Sequence, residues 1–223
     1  MEFDEVIETR RSVHQYTDED IGDDTLEAIF EQVRYAPSSF NLQPWEFLVV
    51  RDDDNLARLQ EVANGQETVG ESAATVVVLG NKDPSAHADR VFDDWLDKEY
   101  IPSEEVRDNL LGVVENMAEL PAEERRVWTT RSTSLAAMSL MHAAWDHGVA
   151  SCPMEGFDAD ALVDEFDVGE GYEPVMLVTL GYAPDDAGDQ ERERKLRRSV
   201  DEIVHFETFE PEQVEAAPAA DDD

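Results

Sequence analysis

The chain has 223 residues, 41% of them hydrophobic, and a formal net charge of −37 from 17 basic and 54 acidic residues. That length suits one domain with a substantial core, and so acidic a surface speaks against nucleic acid, whose phosphates select positive charge. No run approaches the ~18 apolar residues of a membrane span, and the acidic start MEFDEVIETRR lacks the basic and apolar regions of a signal peptide, so a membrane partner is excluded and a cytoplasmic location is expected.

Residues 2–9 read as a short helix with Phe3, Val6 and Ile7 on one face, and residues 10–22 as extended or turn-like. A helix over 24–35 carries Leu26, Ile29, Phe30 and Val33 at helical spacing, and Pro37-Ser38-Ser39 closes it. A strand at 46–50 and a helix at 54–63 follow. The continuous apolar run ATVVVLG at 74–80 predicts a central strand. Residues 85–120 are charged and helical in pattern, a helical insertion over the core whose Phe92, Trp95 and Tyr100 would shape a pocket.

A long helix runs from about Ala122 to His147 and stops at Gly148. Its second half, STSLAAMSLMHAAW, is small and apolar nearly all round, which predicts burial on more than one side, as at a dimer interface. A strand at 149–152, a helix at 158–166 and a strand at 174–181 complete the core. These elements predict a three-layer α/β sandwich, a mixed central sheet covered by helices, in one domain over 1–204. The acidic tail at 205–223 is expected to be largely disordered.

Lysine occurs only at 82, 98 and 195; the other fourteen cations are arginine. An acid-rich, lysine-poor surface repels itself at low ionic strength, and near molar salt that repulsion is screened within ~3 Å, so the composition predicts a halophilic protein. The single cysteine, Cys152, excludes an internal disulfide and reads as small buried filler, so any redox chemistry must come from a cofactor. There is no GxSxG, HExxH, Walker or GxGxxG motif, and no metal site is expected; His142 and His147 are five apart, wrong for one-face ligation.

Positive charge survives in two clusters. From Ser132 to Glu191 there is no Lys or Arg; then Arg192, Arg194, Lys195, Arg197 and Arg198 fall within seven residues, and Arg10 and Arg11 sit at the end of the first helix. Such guanidinium clusters suit phosphate oxygens, and they equally suit pairing with Glu191 and Glu193. The loop Ala36-Pro37-Ser38-Ser39-Phe40-Asn41-Leu42-Gln43-Pro44-Trp45 offers hydroxyls and amides between two prolines, as a heteroaromatic ligand would need, or is an ornate turn before a strand. In Cys152-Pro153-Met154-Glu155-Gly156-Phe157-Asp158, Gly156 permits close backbone approach, Glu155 is either an acid or a loop carboxylate, and Asp158 can cap a helix.

Arg10-Arg11-Ser12-Val13-His14-Gln15-Tyr16, the APSSFNLQPW loop, the CPMEGFD loop and Lys195-Leu196-Arg197 stand in the order seen in nitroreductases, and the chain resembles that family over residues 1–204. The PMEGF loop resembles the small, oxygen-insensitive subgroup. The resemblance implies an FMN-binding homodimer that takes hydride from NAD(P)H and reduces a nitroaromatic, quinone or similar small electron-poor acceptor by ping-pong transfer. It implies that the flavin carries the chemistry, with no catalytic side chain. Arg10, Arg11 and Ser12 would hold the phosphate and ribityl end, with Lys195 and Arg197 closing on the phosphate. Pro37, Ser38, Ser39 and Asn41 would come from the partner subunit, with Gln43 supporting their loop. Pro153, Met154, Glu155 and Gly156 would lie along the isoalloxazine, a backbone N–H near Glu155–Gly156 facing N5. Gln66 would sit near the pyrimidine.

His14 departs from the family, which usually has Arg or Lys at that place beside the flavin N1–C2 edge. Histidine is cationic only when protonated, so it implies a pH-sensitive flavin or a neutral hydrogen-bond donor to the same oxygen. The alternatives are other flavin chemistry of the family (dehydrogenation, dehalogenation, flavin breakdown) and a flavin-binding protein without turnover.

Overall fold

A computed structural model describes residues 1–185 and 194–211. The chain divides into two units, Met1–Ala187 and Gly188–Asp223. The first begins with α1 (Phe3–Thr9) and α2 (Asp23–Val33), then β1 (Trp45–Val50), α3 (Asp53–Val62), α4 (Glu67–Gly70) and β2 (Ala74–Asn81). It continues with α5 (Ala88–Asp97), α6 (Glu104–Ala118), α7 (Ala122–Asp146), β3 (Ala150–Met154), α8 (Ala159–Glu165) and β4 (Tyr172–Gly181). The second unit contributes α9 (Val200–Ile203), closed by a reciprocal capping box between Ser199 and Glu202. The tail expected to be disordered falls mostly on 212–223, outside the described residues.

Short polar side chains start several helices. Asp52, Ser103 and Asp158 accept the backbone N–H groups of Asn55, Val106 and Ala161 at 3.2, 3.4 and 3.0 Å. Gly148, at φ +75°, ends α7 in the left-handed conformation that glycine adopts without steric cost.

The four strands pair in the order β1-β2-β4-β3, and every ladder is antiparallel. The expected mixed sheet is therefore corrected. The parallel element among the described residues is an isolated bridge, Ser12 to Ser151. Periodicity reports that a strand is buried, and β2 is buried along nearly its whole length, but a run covered by helices on both faces reads the same in either direction.

Alternation along β2 feeds two cores. Val76 and Val78 pack with Ile29 and Val33 of α2 and Ala136 and Leu140 of α7. Val77 and Leu79 face the other way, toward Leu56 and Leu59 of α3 and Leu162 of α8. These are the three layers. A third, smaller cluster holds α5 and α6 to the loop before β1: Phe92 and Val114, both fully buried, pack with Leu42, and Phe40 and Trp128 lean against them. Phe92 is thus core rather than pocket lining, with Trp95 edge-on to it at 5.3 Å, and Tyr100 is exposed. The aromatic spacing alone did not separate these three fates.

In the second half of α7, Ala136, Ala137, Leu140, Ala143 and Ala144 are buried against the sheet and α2. Leu135 of the same stretch is 49% exposed.

Candidate active site

The sheet has two edges, and the candidate residues gather at both. At the β3 edge, the segment after α1 runs beside the strand. The Val13 N–H donates to the Ser151 carbonyl at 3.1 Å, and Val13 is buried. Extended backbone alternates its side chains, so Ser12 and His14 point away from the face that Val13 fills. Tyr16 ties the segment down: its hydroxyl donates to the Val13 carbonyl at 2.9 Å and lies 2.8 Å from Thr179 Oγ1. The Thr68 hydroxyl donates to the His14 carbonyl at 3.4 Å, linking the segment to α4. His14 is exposed, with Nδ1 3.5 Å from the buried Cys152 Sγ. The sequence, which sets them 138 positions apart, left that contact unseen.

Arg10 and Arg11 are half-buried at the end of α1. One Arg11 nitrogen donates to the carbonyls of Glu8, Thr9 and Arg10, each at 3.1 Å, which is the cation-on-carbonyl contact a helix C-terminus favours. The half-buried His142 of α7 packs edge-on to Phe3 at 6.1 Å. Burial first, and the Arg10 cation second, push its imidazole below the ordinary histidine value. The unfolded chain then takes up that proton at a higher pH than the folded one. The stability concerned is present above about pH 6.5 and is lost as pH falls through the lowered folded value. His142→Gln should flatten that part of the profile, seen as a smaller difference between urea midpoints at pH 7 and pH 5.

β3 ends in the loop Glu155-Gly156, both exposed. Its carbonyls are engaged: Glu155 accepts from the Phe157 N–H at 3.0 Å, and Gly156 accepts from the Asn64 and Gln66 side-chain amides at 2.9 and 2.7 Å. The Asp158 N–H donates to the Val62 carbonyl at 2.8 Å. Among the described residues no protein acceptor is recorded for the Glu155 and Gly156 N–H groups, so the loop presents two consecutive open donors. Pro153 is half-buried beside them. Met154 turns its side chain the other way. It is 8% exposed and belongs to the core with Leu59 and Leu177, because strand alternation turns it inward.

The Pro37–Trp45 loop lies at the opposite edge, before β1. Ser38 Oγ accepts the Gln43 N–H at 2.9 Å and the Gln43 amide donates to the Asn41 carbonyl at 3.0 Å, so Gln43 serves the loop. The Ser39 N–H reaches Ser132 Oγ of α7 at 3.5 Å. Phe40, Asn41 and Gln43 all have positive φ, at +52°, +56° and +47°. Such conformations cost of order 1 kcal/mol or more each and cluster at ligand sites. A cleft of about 360 Å³ opens here, lined by Asn41, Gln43 and Trp45 and by His87, Arg90, Val91 and Asp94 from the start of α5. Three strand spacings of ~4.8 Å separate β1, which this loop precedes, from β3.

Lys195 and Arg197 belong to the second unit, where both are exposed and Arg197 donates to the carbonyls of Lys195 and Leu196 at 3.2 and 3.0 Å. Arg192, with Glu191 and Glu193, lies outside the described residues.

The model of the Nitroreductase family matches residues 7–182. The chain belongs to the nitroreductase family. That match includes both edges of the site and ends before Lys195 and Arg197. YodC of Bacillus subtilis (strain 168), provisionally named an NAD(P)H nitroreductase, is 34% identical over 84% of this chain and 93% of its own. MhqN of the same organism, named likewise, is 32% identical over 92% of this chain and 98% of its own. Among solved structures, a provisional nitroreductase of Exiguobacterium sibiricum in complex with FMN superposes at a TM-score of 0.80. It is 30% identical, covering 92% of this chain and 97% of that one.

Beside the residues singled out above, the structure brings Asn64 and Tyr16 to the candidate site. Asn64 had a legible signal, since Asn-Gly marks a turn and both Asn64 and Gly65 have positive φ, at +57° and +74°. Tyr16 stands in the Arg10–Tyr16 motif, but its contact with Thr179 was not legible there.

Proposed function

We propose that the protein is an FMN-dependent NAD(P)H oxidoreductase that reduces nitroaromatics, quinones or similar electron-poor acceptors as a homodimer. The observation that carries this reading is the pair of open N–H donors at Glu155 and Gly156, on the same sheet edge as the half-buried Ser12 and the exposed His14. FMN, when bound, supplies the carrier that takes hydride from the nicotinamide and yields it to the acceptor, the two substrates taking turns at one face.

The residues fit that group. Two backbone donors suit the flavin's acceptor edge. Arg10 suits a phosphate, with Ser12 two residues on; Lys195 and Arg197 of the second unit are cations of the same kind. Pro153 would lie along the ring, and His14 would stand at the edge where negative charge develops. Ser38, Ser39 and Asn41 from a second copy complete the polar lining. Two features support the second copy: the halves of the site stand at opposite sheet edges, and Leu135 of α7 is 49% exposed. The FMN complex of the Exiguobacterium relative and the names of the Bacillus relatives support the cofactor and the electron donor.

The test is an absorbance spectrum of protein purified in high salt, before and after anaerobic NADPH and NADH. Flavin bands that bleach support the reading. A yellow protein that either nucleotide leaves unbleached would show flavin binding without turnover, and a colourless protein that FMN fails to reconstitute would remove the cofactor.

The charge balance extends the proposal to a halophilic protein. Raising KCl from 0.1 to 2 M should raise the thermal midpoint, because a Debye length falling from ~10 Å to below ~3 Å screens the repulsion among carboxylates. A midpoint unchanged across that range would sink the idea.

A further inference from the structure

We propose that Asn64 and Gln66 form a paired amide clamp on the Gly156 carbonyl, and that this clamp aims the open N–H groups of Glu155 and Gly156 at the reacting edge of the cofactor. Both are positioning residues. The inference rests on the FMN reading above and deepens it.

The geometry is of two fixed ends and a free middle. Upstream, Met154 is held in β3 by pairing with Leu177. Downstream, Asp158 caps α8 and its N–H is bound to the Val62 carbonyl. Between them stand Glu155, Gly156 and Phe157, and Gly156 has no Cβ to restrict its dihedrals. Two side-chain donors meet on its one carbonyl, Asn64 Nδ2 at 2.9 Å and Gln66 Nε2 at 2.7 Å. The same Gln66 nitrogen also donates to the Ala63 carbonyl at 3.1 Å, which anchors the clamp to the end of α3. A Cβ on Gly156 would lie 3.1 Å from Gln66 Nε2, so the absence of a side chain is what lets the amide approach this closely.

With its carbonyl engaged twice, Gly156 loses its freedom to rotate. The neighbouring N–H groups then point one way before any ligand arrives, and donors fixed in advance lose no energy to reorganisation. The Gln66 amide nitrogen is engaged on the backbone, and its Oε1 is the end left to face a ligand.

The first arm of the test uses protein freed of FMN. Asn64→Gly keeps the left-handed backbone and removes one donor, and Gln66→Met keeps the length and removes the other. Each bond contributes a net 0.5–1.5 kcal/mol, so the double variant should speed amide exchange at Phe157 and Asp158 by roughly 10- to 100-fold. Gln66→Glu is the second probe. Its carboxylate faces the Gly156 carbonyl at neutral pH and regains a donor on protonation, so its excess exchange over wild type should shrink as pH falls toward about 4.3. A residue that merely filled space would show no such pH dependence.

The second arm uses the FMN-saturated protein. The double variant should reduce its flavin with NADPH about 10-fold more slowly in a single turnover and should shift the flavin potential. Exchange at wild-type rates, or flavin reduction at the wild-type rate with the loop opened, overturns the clamp. If wild-type protein binds no FMN, the functional reading falls and takes this proposal with it; if wild type binds FMN and the variants behave as wild type, this proposal falls alone.

Discussion

Replacing Gly181 by alanine should lower the unfolding free energy by about 2 kcal/mol, within the range for overpacking a filled interior. Gly181 ends β4 opposite Ala150 of β3. A Cβ there would stand 2.6 Å from both Cγ and Cδ1 of Tyr16 and 2.9 Å from its Cβ. These atoms are the root of the ring, and no rotamer removes all three. The Tyr16 backbone must retreat, and with it the hydroxyl that holds the Val13 carbonyl and Thr179. The effect therefore reaches Ser12 and His14, two residues proposed to hold the cofactor. A urea titration measures the loss. Combining Gly181→Ala with Tyr16→Ala should recover most of the clash, so the two changes together should be less damaging than their sum. Strict additivity would show that the alanine is accommodated elsewhere.

Arg10→Ala should weaken FMN binding by roughly 10- to 100-fold and leave riboflavin binding nearly unchanged. A hydrogen bond to a charged group contributes about 1.5–3 kcal/mol, and riboflavin has no phosphate to lose. Arg10 is half-buried beside His142, so it works where water screens less than at the open surface. The two affinities, measured by flavin fluorescence at one fixed salt concentration, decide the matter. Equal losses for both ligands would assign Arg10 to the fold rather than to the phosphate. No loss for either would move the phosphate to another cation.

Most of the elements in the first unit were legible in the sequence. Hydrophobic spacing placed α2, α3 and α8 within a residue or two of their ends, and the apolar run at 74–80 identified β2. Gly148 marked the end of α7 because a left-handed residue stops a helix cheaply. The four-residue α4 and α9 were not legible, since one turn is too short to show a period. The site was legible as motifs, through the rarity of cations at Arg10 and Arg11 and through the PMEGF loop. It was not legible as geometry: Met154 stands inside the PMEGF motif yet faces the core.

The sequence by itself determined the longer helices and the strands, where charge is concentrated, and which residue types the candidate site offers, because these depend on neighbours a few positions apart. Tertiary structure decided the rest: the antiparallel sense of every strand, the contact of His14 with Cys152, the division of the site between two sheet edges, and the meeting of Asn64 and Gln66 on one carbonyl. Each of these joins residues far apart along the chain. Their distances are set by how whole layers pack, and local periodicity carries no record of that.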